Sequence, residues 1–133
     1  MKKVPDLADL ARRDGRFDAE AYAFVSQSLR HAAKLNRKDR ASGSERHLTA
    51  NQLVEGAIDL AVERYGLLAD LVLRSWGVRR SQDLGEITFA LIEHGIFTKQ
   101  PSDRIEDFYT GPDFVDAVEG RVTDRIARRW VAG

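Results

Sequence analysis

The chain has 133 residues, 21 basic and 21 acidic side chains and no cysteine. That length fits one domain, able to bury about two-thirds of its unfolded surface without a disulfide or a metal. Without cysteine, thiolate catalysis and Cys-ligated zinc or iron–sulfur sites are excluded, and a cytoplasmic setting is expected.

The net charge of zero conceals a pattern. Residues 1–47 carry a net +4, residues 48–120 a net −7 and residues 121–133 a net +3. A basic–acidic–basic layout suits pairing within the fold or between chains, and gives no uniform field for drawing in nucleic acid. Lys2 and Lys3 open the chain as in a signal peptide, but Asp6, Asp9 and Arg12 interrupt any apolar region after them. No run approaches the ~18 apolar residues of a membrane span.

In chain order, Val4, Leu7 and Leu10, with Ala8 and Ala11, make a short helical stripe that stops at Asp14-Gly15. Asp18 then caps a second helix, with Phe17 and Tyr22 at hydrophobic-staple spacing and Ala21, Phe24, Val25, Leu29 and Ala32 on one face. The pattern fades in the basic loop 37–46, where Gly43 and the serines break it. Thr49-Ala50-Asn51-Gln52 reads as a capping box, with Leu48 and Leu53 as its staple, opening a helix from Ala50 to Tyr65 that Gly66 ends. "LLADLVLRSW" is apolar almost all round, which predicts the central, most buried helix. Asp83 and Glu86 have capping-box spacing for a helix that closes at Gly95. "IFTKQ" reads as a short strand, able to pair with "ERHLT" in a two-stranded ribbon. Asp113 to Val131 places Val115, Val118, Val122, Ile126 and Trp130 on one stripe. The expected fold is mainly α: a single compact helical domain over 1–133 of about five to seven helices, with at most a small two-stranded β element and a basic C-terminal helix extension at 120–133.

Catalytic motifs are scarce. Ser44, Glu45, His47 and Thr49 lie close together in sequence, but adjacent residues diverge in space and Thr49 is engaged as a cap. His31, His47 and His94 include no i, i+4 pair for a metal. His94 sits in the last turn of its helix, where the dipole favours a cation. The carboxylates between Asp103 and Glu119 lack EF-hand order and read as a solvated acidic face on which a basic partner could dock. Neither a P-loop nor a GxGxxG motif occurs, so no cofactor is expected. Arg37, Lys38 and Arg40, with Arg121, Arg125, Arg128 and Arg129, form a candidate basic interaction surface. The helix order suggests a winged helix, yet the would-be recognition helix carries Asp83, Glu86 and Glu93 and no Lys or Arg.

"LARRDGRFDAEAYAFV", "RHLTANQLVEGAIDLAVERYG" and "SWGVRRSQDLGEITFALIEHGIFTKQPSDRIEDF", in that order over residues 5–116, resemble a family of short uncharacterised proteins reported mainly from planctomycete and verrucomicrobial bacteria. The shared pattern falls on Arg46-His47-Leu48-Thr49, Glu55-Gly56, Trp76-Gly77 and Asp83-Leu84-Gly85-Glu86-Ile87. The resemblance implies no activity, cofactor or catalytic residue. It directs attention to Gly56 and Gly85, glycines within helices, where each costs about 1 kcal/mol against Ala and points to close approach by a neighbour.

The candidate functional residues are therefore Arg46, His47, Gly56, Glu86 and His94. The leading expectation is a non-enzymatic protein-interaction module capable of self-association, with no membrane partner. The alternatives are a nucleic-acid-binding, winged-helix-like regulator acting through segments 30–46 and 121–129, and an enzyme with a dispersed site around His47, His94 and Glu86.

Overall fold

The computed structural model describes residues 6–38, 48–97 and 104–132. Six α-helices occur among them: α1 (Leu7–Asp14), α2 (Ala19–Leu35), α3 (Ala50–Tyr65), α4 (Ala69–Ser75), α5 (Ser81–Glu93) and α6 (Phe114–Ala132). Short 3-10 turns at Gly66–Leu68 and Ile105–Phe108 precede α4 and α6. The fold is mainly α, and the described residues contain no strand. Most of the expected ribbon, residues 45–47 and 98–100, lies outside the described residues, and Ile96 and Phe97 form a bend.

Helix starts follow local chemistry. The Asp18 side chain accepts the Glu20 N–H at 2.9 Å. Phe17 and Tyr22 meet edge to face at 6.1 Å, fixing the entry of α2. At α3 the Thr49 hydroxyl accepts the Gln52 N–H at 3.1 Å, while Gln52 Oε1 accepts the Thr49 N–H at 2.9 Å. The start of α5 differs from the expected one. Asp83 is not the cap but lies two residues into the helix, where its Oδ2 accepts the backbone N–H groups of Arg79 and Arg80 at 2.9 and 3.2 Å. That frees Glu86 for other partners.

The central helix is α3. It packs against α2, α4, α5 and α6, and buries Leu53, Val54, Ala57, Ile58, Leu60, Ala61 and Val62. This corrects the expectation for "LLADLVLRSW". Gly66, at φ 58° and ψ −134°, takes a backbone conformation that only glycine adopts cheaply, and it turns the chain sharply out of α3. The following segment splits into a 3-10 turn and a seven-residue helix that buries only Ala69 and Leu73. Leu67, Leu68 and Leu71 face outward, 60–65% exposed.

Both helical glycines mark close packing. A Cβ on Gly56 would stand 2.5 Å from the Ala32 Cβ, so α2 and α3 cross there at a distance that admits no side chain. A Cβ on Gly85 would stand 2.6 Å from Cγ of Phe108, whose ring is buried against α5. Phe108 thereby fixes the turn that leads into α6.

Candidate interaction surface

The first turns of α6 are anchored by apolar burial: Phe114 and Val118 are each 2% exposed. From Thr123 to Trp130 every residue is exposed. What holds the helix down between these two regions is charge. Asp59, on the inner face of α3, is almost buried and receives three partners from two other helices. His31 Nε2 of α2 lies 2.7 Å from its Oδ2. Arg121 Nη1 and Arg125 Nη2 of α6 donate to its Oδ1 at 2.8 and 3.1 Å. Arg121 Nη2 also donates to Glu55 Oε2, one turn earlier on α3. Burial would raise the Asp59 carboxyl, but the hydrogen bond from His31, then that from Arg125 and the two guanidinium charges, outweigh it and hold the group below its ordinary range.

Among the described residues, Gly56, Glu86 and His94 do not converge on one another. Arg46, His47 and Arg40 lie outside the described residues. Gly56 is packed under Ala32. Glu86 Oε2 faces Arg16 Nη1 at 3.5 Å and its Oε1 faces Gln82. The same Arg16 holds Asp14 at 3.0 Å, and Asp14 accepts from the buried Tyr22 hydroxyl. His94 Nε2 is 3.6 Å from Asp9 Oδ2 of α1. His94, the residue just after α5, is eight positions from Glu86, about 12 Å at the rise of a helix. Arg37 adopts φ 56° just after α2, and Lys38 Nζ reaches Gln52 Oε1 at 3.4 Å. Among the described residues no group of three or more His, Asp or Glu converges as a metal site. No described helix is long and apolar enough to cross a membrane.

The expected basic surface of α6 is divided in two. Arg121 and Arg125 turn inward onto carboxylates, while Arg128 and Arg129 face solvent. Beside them, Ile126 is 52% and Trp130 82% exposed. An aromatic of that size left in water is a large unspent apolar area. Asp59 and His31 are not among the residues that spacing and motifs single out as a site. In the sequence Asp59 falls in line with Gln52, Glu55 and Glu63 on the polar side of α3, so helical spacing does not mark it as buried. No protein-family model, no curated protein and no solved structure matches this chain.

Proposed function

We propose that this chain is a non-enzymatic protein-interaction module of the cytoplasm, belonging with the short bacterial proteins it resembles. One observation carries the reading. The outer part of α6 leaves the body with Ile126 and Trp130 exposed, while a charged cluster at Asp59 keeps the helix fixed in direction. A rigid helix presenting an aromatic anchor beside arginines has the composition of a protein-docking surface, where Trp and Arg contribute most. The nucleic-acid alternative draws on the same arginines, and Asp59 and Glu55 already neutralise two of them.

The test is a photo-cross-linking residue in place of Thr123, which is exposed on α6, in cells producing the protein. The expected product is a discrete adduct of two polypeptides, lost when Trp130→Ser is added. Illumination that yields no adduct overturns the reading. Adducts with nucleic acid alone replace it with the alternative.

A further inference from the structure

We infer that the partner of α6 is a second copy of this chain, docked antiparallel along the same helix. The inference rests on the docking role of α6 proposed above and adds the identity of what docks there. Val115, Glu119, Val122, Ile126 and Trp130 recur at spacings of three and four, so they share one face along the whole helix. Val115, Ile126 and Trp130 are among the exposed large apolar side chains, and Val122 is only partly covered by the core. Among the described residues this face is covered only in part, at Val122.

Charge selects the occupant. Asp113, Asp116 and Glu119 make the first half of the helix acidic, with no Lys or Arg among residues 113–119. In the second half Arg121 and Arg125 are held by Asp59 and Glu55, and Arg128 and Arg129, which face solvent, leave the outer end basic. A helix with opposite halves is complementary to itself when reversed. A parallel copy would set Glu119 and Arg129 each beside its own counterpart, a repulsion that the antiparallel arrangement removes. Antiparallel helix dipoles act in the same sense. The arrangement has a two-fold axis and closes as a dimer, the commonest symmetry of soluble oligomers.

The register follows from the same residues. With the axis beside Val122 and Thr123, Val115 of one copy lies opposite Trp130 of the other. Glu119 then stands about one turn from Arg129 of the other copy, and Arg129 is on the contact face because it follows Ile126 by three. The two arginines that hold Asp59 are not consumed by this contact, so docking leaves the anchor of α6 in place.

Sedimentation velocity of the purified protein at low salt tests the inference on four variants. All carry changes at exposed positions, and circular dichroism checks that each stays helical. The parent is expected as a concentration-dependent dimer. Glu119→Arg, Arg129→Glu and Trp130→Ser should each raise the dissociation constant by about tenfold or more. The double variant Glu119→Arg/Arg129→Glu should restore dimers. A parent that is monomeric at hundreds of micromolar overturns the inference, as do single variants that dimerise like the parent or a double variant that does not recover. A monomeric parent that still cross-links to another protein through position 123 leaves the docking role standing and removes only the second copy.

Discussion

His31 Nε2 lies 2.7 Å from Asp59 Oδ2, joining α2 to α3 at the carboxylate that Arg121 and Arg125 of α6 also hold. One acidic side chain thus ties three helices together. Neutralising it leaves His31, Arg121 and Arg125 facing a half-dry space without their anion. Asp59→Asn should lower unfolding free energy by about 2 kcal/mol at neutral pH, read by urea denaturation.

The same carboxylate gives the fold an acid limit. Its folded-state pKa lies below 3.8, the value it regains on unfolding. Its contribution is therefore complete above the unfolded value and is lost as pH falls through the folded one. The stability gap between the parent and Asp59→Asn should close below about pH 4. A gap that stays constant from pH 7 to pH 3 would mean that the charge of Asp59 does not stabilise the fold.

Tyr22 supplies the opposite sign. Its ring is fully buried, and that burial, followed by the hydrogen bond to Asp14, pushes the phenol well above its ordinary 10.0. The protonated phenol's contribution is complete below the unfolded value of 10.0 and declines as pH rises beyond it. Tyr22→Phe should cost about 1 kcal/mol at pH 7 and flatten the loss of stability above about pH 10. Ultraviolet titration of the parent should show one tyrosine that ionises only as the protein unfolds.

Glycines 56 and 120 both interrupt helices, and the structure separates them. At Gly56 a methyl group would stand 2.5 Å from the Ala32 Cβ, whereas at Gly120 nothing lies within 4 Å. Gly56→Ala should destabilise by about 2 kcal/mol despite the better helix former, because α2 and α3 must move apart. Gly120→Ala should stabilise by up to about 1 kcal/mol. Thermal melts of both variants check the contrast. Equal and opposite signs to these would remove close packing as the reason for Gly56.

The features legible in the sequence were local. The caps at Asp18 and Thr49 were readable because the donor and acceptor lie within three residues of each other. The end of α3 at Gly66 was readable because glycine is the residue such a turn needs. Two kinds of feature escaped. The segment 67–76 looked buried on composition alone, yet burial depends on which faces have neighbours, and after the Gly66 turn only Ala69 and Leu73 do. The Asp59 cluster joins residues 28 and 62 positions apart, and no spacing rule spans that distance. Arg121 and Arg125 belong to the basic surface expected from the sequence, but their direction depends on the packing of α6 on α3.

Concentration-dependent hydrogen–deuterium exchange on α6 tests the central claim most directly. Residues 119–130 are exposed or partly exposed in the isolated chain, so a pairing surface there adds protection only when two copies meet. The predicted result is protection of these amides that rises with protein concentration and disappears on dilution, while α3 stays unchanged. Exchange of α6 that is identical at every concentration would contradict the pairing of two copies along this helix.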